Sequence, residues 1–361
     1  MGDAANQRHA VESMVAKVSH AQMHGQPDPS IPFLAADVGG THARIGLVSG
    51  RAGQAVEILH YHRYSCADWS GLGAMLQDFV ARLATTPHAV AGARIEHCAV
   101  ACAGVVLDDV IVNENLPWPV SVREIREGLG LRQLAVINDF QAVAYATQFV
   151  PAADTRVIID STQPSNEGPK LVMGPGTGLG SAVLFPGEPR ARVLATEAGQ
   201  ISLAPGSERE IEILRLLRRE RSHVSFEDAL SGPGLRKLYR ALCELRGVPA
   251  RDLSPAGITG AALDGSDAAA VEALEIFCGL LGSFAGDLVM LYGASAVYLA
   301  GGILPQIQSF LLGSTFAERY FNKGVMRAYL QQVPVRLIEH GQLGVIGAAG
   351  WFLDERQEEA A

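Results

Sequence analysis

The stretches Ala36-Asp-Val-Gly-Gly-Thr-His-Ala-Arg44 and Gly174-Pro-Gly-Thr-Gly-Leu-Gly180 each set a glycine-rich turn between two short apolar runs. Phe33-Leu-Ala-Ala-Asp37 leads into the first and Ala43 to Val48 leaves it; Lys170-Leu-Val-Met173 leads into the second and Ser181-Ala-Val-Leu184 leaves it. Both read as strand, turn, strand. Glycine matters in such turns because backbone N–H groups can close on phosphate oxygens when no side chain intervenes, and φ > 0 is expected at Gly176 and Gly178. Neither stretch fits GxxxxGK[ST] or GxGxxG, and both of those motifs run into a helix where these run into a strand. Either turn alone reads equally as a tight hairpin that needs glycine. Two of them about 140 residues apart, with Gly301-Gly302 following strand-like Ala296 to Ala300, point to two related halves facing one phosphate site.

Outward from these turns the chain alternates. Leu72, Met75, Leu76, Phe79, Val80 and Leu83 fall at helical spacing, followed by strand-like His97 to Ala101 and Val110 to Val112. Ser121 is placed to cap a helix running through Gly128, and Leu134 to Ile137 forms a strand that delivers the chain to Asn138-Asp139, where a helix through Phe149 is expected. Further helices are expected over Glu208 to Glu220, Gly234 to Leu245, Asp267 to Leu291 and Leu343 to Phe352. Alternating strands and helices make the class α/β. Residues 1–30 are polar, end in Pro27-Asp28-Pro29 and carry no sustained period, so they read as a disordered extension. The remainder divides into a small lobe, 31–149 plus 338–361, and a large lobe, 150–337.

At 361 residues, 48% hydrophobic and 19% charged, the chain buries a sizeable core. A net charge of −9 argues against duplex nucleic acid as a partner, which a basic stripe would have to neutralise. The five cysteines, Cys66, Cys98, Cys102, Cys243 and Cys278, form no CxxC and no zinc-ligand spacing and read as buried thiols. No uninterrupted run of about 18 apolar residues is present, so no membrane partner is expected and the cytoplasm is the expected location.

Six blocks then carry a resemblance. Ala36 to Arg44, Ile137-Asn-Asp-Phe140, Gly174 to Gly180, Thr196-Glu-Ala-Gly-Gln200, Leu230-Ser-Gly-Pro-Gly-Leu235 and Ala300-Gly-Gly-Ile303 resemble the bacterial glucokinases in order and interval, from about Pro32 to about Leu353. The resemblance implies a two-lobed sugar kinase/actin/Hsp70-like (ribonuclease H-like) fold with ATP and sugar in the cleft between lobes. It implies phosphorylation of D-glucose at the 6-hydroxyl by ATP and Mg²⁺. Ala36, Asp37, Val38, Gly39, Gly40, Thr41, Gly176, Thr177, Gly178, Gly301 and Gly302 would then face the nucleotide. Asn138, Asp139, Glu197, Gln200 and Glu227 would face the sugar. A homodimer is compatible with the resemblance and with the apolar helices of the second half.

Phosphoryl transfer needs positioning and charge neutralisation more than covalent help. Asp37, closing the first strand, is a candidate to hold Mg²⁺, which takes few carboxylates and keeps its waters; an Asp before Gly-Gly is also an ordinary turn residue. Thr41 and Thr177 offer hydroxyls beside the turn amides. Asp139 follows a strand and opens a helix, where open α/β sheets present catalytic groups. The helix N-terminus should keep it ionised with an ordinary pKa of about 4, and helix capping is its alternative use. Asn115 and Ser231 are weaker candidates for the cleft wall, with turn or cap roles equally open.

Two departures qualify the resemblance. Gln200 stands where the family usually has His, and it keeps a donor and an acceptor but cannot be protonated. His42 stands where the family usually has Asn. Three readings follow: a glucokinase, a kinase for another hexose or an amino sugar, and a sugar- or ATP-binding regulator without turnover.

Overall fold

Gly39 N–H donates to the His42 carbonyl at 3.0 Å, so the chain reverses there and β1 (Phe33–Val38) pairs antiparallel with β2 (His42–Ser49). The computed structural model describes residues 32–92, 95–112, 116–161, 167–187, 190–338 and 341–360; the extension expected over 1–30 lies outside them. β3 (Glu57–Ser65) continues the antiparallel meander on β2, and β4 (His97–Cys102) joins the other edge of β1 in parallel. After a small ribbon of β5 (Val105–Leu107), β6 (Val110–Val112) and β7 (Val120–Ser121), β8 (Gln133–Ile137) adds in parallel to β4. The first sheet therefore runs β3-β2-β1-β4-β8.

The second sheet repeats that plan. β9 (Thr155–Ile159) comes first in the chain but sits at an edge; β10 (Lys170–Pro175) and β11 (Leu179–Phe185) make the hairpin, and β12 (Arg192–Thr196) extends it. β13 (Ala296–Leu299) and β14 (Val335–Ile338) then add in parallel, giving β12-β11-β10-β13-β14-β9. Its first five positions have the order and directions of the first sheet. Two glycine hairpins in matching topological positions make the internal duplication a property of the fold rather than of two similar turns.

The helices follow the apolar pattern, with differences at their ends. Leu72–Leu83 buries Leu72, Met75, Leu76, Phe79 and Leu83, and Val122–Leu129 starts where Ser121 Oγ accepts the Glu124 N–H at 3.2 Å. The helix opened by Asn138 stops at Ala146 rather than Phe149, because Thr147 and Phe149 bond three residues back and Pro151 follows. Similarly the Glu208–Leu217 helix ends before Glu220, in two tighter turns. Ala268–Tyr292 is apolar and long enough to cross a membrane, yet Phe277, Leu281, Phe284 and Leu288 lie at the centre of the second half's core, so it is read as a core helix. The five cysteines are buried thiols outside any disulfide.

Between the two sheets lies the Asp139–Ala146 helix. On one side it meets the Leu343–Ala360 helix at the closest of approaches: a Cβ on Gly347 would stand 1.7 Å from the Ala142 carbonyl oxygen, and one on Gly350 would stand 2.7 Å from the Phe149 ring. On the other side a Cβ on Gly180, in β11, would stand 1.9 Å from the Phe140 ring. Val143, Ala144 and Tyr145 pack with Val172, Ala182 and Leu184 of the second sheet. Tyr145 Oη also donates to Asp354 on the final helix, whose other oxygen accepts the Gly53 N–H at 2.7 Å.

Because the obstacle at Gly347 is backbone, it cannot rotate away. Gly347→Ala should destabilise the protein by about 1–3 kcal/mol in urea unfolding and lower kcat, whereas Gly341→Ala, with no neighbour within 4 Å, should do neither. Equal unfolding midpoints for the two variants would show that the helices do not depend on this contact.

Candidate active site

Asp37 is the penultimate residue of β1, on the face opposite Ala36 and Val38, whose side chains are fully buried and whose backbones pair with Ile45 and Ala43. Those two residues support the turn rather than line it. Asp37 Oδ2 accepts from Arg44 Nη1 at 3.2 Å across the hairpin, and a Cβ on Gly344 of the final helix would stand 2.5 Å from Asp37 Cγ. Burial raises the Asp37 pKa despite the guanidinium. At the turn, Cys66 holds the backbone: its N–H donates to the Thr41 carbonyl at 2.9 Å and its Sγ to the Gly39 carbonyl at 3.3 Å. Thr41 itself is exposed. His42 is engaged by Arg63 at 2.8 Å, and since a guanidinium only donates, Nε2 accepts and the imidazole proton sits on Nδ1.

The second hairpin presents an exposed Thr177 between Gly176 and Gly178. Neither glycine lies in the left-handed region, so the expected left-handed turn is corrected, and Gly176 N–H closes on the Gly178 carbonyl at 2.8 Å. Proximity instead marks Gly178, where a Cβ would stand 2.7 Å from Glu227 Oε2 and the carboxylate would have to move, while Gly176 has no neighbour within 4 Å. The third glycine pair is brought beside this hairpin by β13. Gly301 does adopt φ +100°, and a Cβ on Gly174 would stand 1.7 Å from the Ala300 carbonyl oxygen. Gly302 opens onto free space.

Asn138 and Asp139 divide the roles that the sequence left open. Asn138 is the N-cap, its Oδ1 accepting the Phe140 and Gln141 N–H groups at 3.0 and 3.1 Å, which leaves its amide nitrogen as the group able to meet a sugar. Asp139 is released from capping, although its Oδ1 still accepts the Phe140 N–H at 2.9 Å. Its pKa is raised to about 6 rather than held near the usual carboxylate value. Burial outweighs the helix N–H, and the nearby Asp37 and Glu197 carboxylates add to the rise.

Glu197 is raised by burial and by Glu227. Glu227 accepts the Leu179 N–H at 2.8 Å with Oε2 and the Gln200 Nε2–H at 3.1 Å with Oε1. Asp37, Asp139, Glu197 and Glu227 thus form one chain of electrostatically linked carboxylates leading from the first hairpin to the second. Ser231 is 2% exposed and caps the Gly232–Leu245 helix, accepting the Gly234 N–H at 2.9 Å and donating to the Glu227 carbonyl at 2.8 Å; it is not part of the cleft wall. Asn115 lies outside the described residues. Arg44 and Gly344 were missed as site residues, although Arg44 lies within the first quoted stretch and Gly344, Gly347 and Gly350 recur every third residue along the final helix.

A cleft with two glycine hairpins, a third glycine turn and a carboxylate chain between them matches known proteins over most of its length. The family model for glucokinase matches residues 34–355. The chain belongs to the glucokinase family. It is accordingly an ATP-dependent hexose kinase of the two-lobed sugar kinase fold. A glucokinase-like protein of Xylella fastidiosa is 45% identical over 335 residues, covering 91% of this chain and 97% of that one. The crystal structure of glucokinase from an Antarctic psychrotroph is 37% identical, superposes with a TM-score of 0.76, and covers 89% of this chain and 98% of that one. A ROK family glucokinase from Streptomyces griseus, solved with glucose and AMPPNP, shares the fold at 21% identity and a TM-score of 0.60, covering 89% and 98%.

The raised Asp139 pKa has consequences of opposite sign for activity and stability. Were Asp139 to act as a general base it would have to be unprotonated, and kcat/KM would then fall as pH drops through about 6, not about 4. A carboxyl whose folded pKa lies above its unfolded value contributes stability below the unfolded value and loses it as pH rises through the folded one. Asp139→Asn should therefore melt higher than the parent at pH 7, with the difference shrinking towards pH 4. An acid limb at pH 4, or an Asn variant that melts lower at pH 7, would contradict the assignment.

Proposed function

We propose that this enzyme transfers the γ-phosphoryl of Mg·ATP to the 6-hydroxyl of D-glucose, with Asp139 as general base. The observation that supports this most is the position of Asp139, beside Asp37 of the first hairpin and Glu197 of the sugar side, on a helix that touches both sheets. The hydroxyl oxygen attacks phosphorus, the β–γ bridging oxygen leaves with ADP, and the hydroxyl proton passes to Asp139. With a pKa of about 6 the carboxylate is about nine-tenths ionised at pH 7 and is a better match to that task than an unperturbed Asp. Asn138 Nδ2, Glu197, Gln200 and Glu227 would hold the sugar, because carboxylates accept from two adjacent hydroxyls.

Gly39, Gly40, Thr41, Gly176, Thr177, Gly178, Gly301 and Gly302 would cradle the nucleotide; the open space at Gly176 and Gly302 suits that use. Among the described residues no group of three His, Cys, Asp or Glu is placed to hold a metal alone. Asp37 with its neighbour Asp139 still fits Mg²⁺, an ion that takes one or two carboxylates with substrate phosphates and would offset the repulsion that Asp37 exerts on Asp139. When bound there, Mg²⁺ supplies neutralisation of the transferring phosphoryl group's charge. We place the lobes at 31–149 with 338–361 and at 150–337, a homodimer as their assembly, and the cytoplasm, where ATP is abundant, as their setting.

Gln200 favours a second reading, a kinase for another hexose or an amino sugar. Its amide orients Glu227, a neutral contact where an imidazole could carry charge. Coupled ADP release over glucose, mannose, fructose and glucosamine should show glucose with the highest kcat/KM. Gln200→His should change that value by about two- to tenfold, the worth of one hydrogen bond. A higher kcat/KM on another sugar, lowered by the same substitution, would establish the second reading; no turnover on any sugar would establish a regulator.

A further inference from the structure

We infer that the Glu227 carboxylate is a positioning residue for the nucleotide hairpin, so that one side chain links the two substrate sites. This rests on the sugar-binding reading of Glu227 given above. The Glu227–Gly232 segment grips the Gly176–Leu179 turn at both ends: Glu227 Oε2 accepts the Leu179 N–H at 2.8 Å, and the Gly232 N–H donates to the Gly176 carbonyl at 2.8 Å. Between them Gly178 approaches Oε2 so closely that a Cβ would stand 2.7 Å away. On its other side Glu227 belongs to the sugar half of the cleft. Its N–H donates to the Gly199 carbonyl at 2.9 Å, its Oε1 accepts from Gln200, and its carboxylate is felt by Glu197.

A sugar hydroxyl reaching Oε1 competes with the Gln200 amide, and any shift of the carboxylate is transmitted to the Leu179 N–H, one residue beyond Gly178. The contact that fixes the turn for phosphate is then the contact that sugar adjusts. Linkage requires the effect to run both ways: a change in the hairpin should reach the sugar, and loss of Glu227 should reach the nucleotide.

Calorimetry with one ligand at a time tests both directions on variants first shown by thermal melting to be folded. Gly178→Ala, which would push the carboxylate aside, should weaken glucose by about 3- to 10-fold with no nucleotide present, whereas Gly176→Ala should leave glucose unchanged. Glu227→Ala should weaken AMPPNP by a similar factor with no sugar present, and Glu227→Gln, which keeps a carbonyl for the Leu179 N–H, should restore nucleotide affinity while glucose stays weak. AMPPNP binding to Glu227→Ala as tight as or tighter than the parent's would overturn the inference, as would unchanged glucose affinity in Gly178→Ala. Should Glu227→Ala not fold, the Gly178→Ala measurement decides. Failure of the parent to bind glucose would refute the sugar reading instead, and the nucleotide measurements, made without sugar, would still decide the hairpin role.

Discussion

Contact of the Asp139–Ala146 helix with both sheets is the constraint on which the site depends. Backbone meets backbone at Gly347 and Ala142, and an aromatic ring fills the space above Gly180, so the helix cannot slide against either neighbour without a clash. Close packing of this kind is felt at the level of single methyl groups. Asp139, at the first turn, therefore takes its position from the first sheet and the second at once. The first hairpin is fixed to the same frame through Gly344 against Asp37, and the second through Gly180 and Glu227. Catalysis that works by positioning requires such a frame, since misplacement of reacting groups by about 1 Å can cost about 10²-fold in rate.

Electrostatics work against this arrangement. Asp37, Asp139 and Glu197 are each pushed up by burial, and Asp139 and Glu197 further by their neighbours; Arg44 is the one cation among the causes that act on Asp37. A site that leaves like charges close together stores free energy that cations, sugar hydroxyls and the reaction's own proton release. That is a stability–function compromise of the kind catalytic sites commonly show.

Much of this was legible in the sequence, and what was not has physical causes. Both hairpins, the Asn138-Asp139 junction and the main helices follow from glycine placement, caps and apolar spacing. Strands β3, β5, β7, β9, β12 and β14 were not read. β3 is Glu-Ile-Leu-His-Tyr-His-Arg-Tyr-Ser, an edge strand half exposed along most of its length, and β12 is likewise an edge with Arg192, Leu194 and Ala195 facing solvent, so neither carries the alternation that burial imposes. The Asp139 pKa was read from its helix alone, whereas the burial that decides it comes from residues far away in the chain. Glycine at Gly178 was attributed to dihedral freedom, whereas its reason is a glutamate 49 residues later that only tertiary structure brings near. The three-residue glycine spacing of the final helix was visible and marks the face that packs on Asp37, Ala142 and Phe149.

The account turns on Asp139 being the group that accepts the sugar's proton, on a helix whose packing does not depend on that carboxylate. The most direct test is kcat of Asp139→Ala beside calorimetric binding of glucose and AMPPNP to the same variant. The account predicts a fall in kcat of about 10²- to 10⁴-fold with both ligands still bound. Turnover above about a tenth of the parent's, with binding intact, would contradict it.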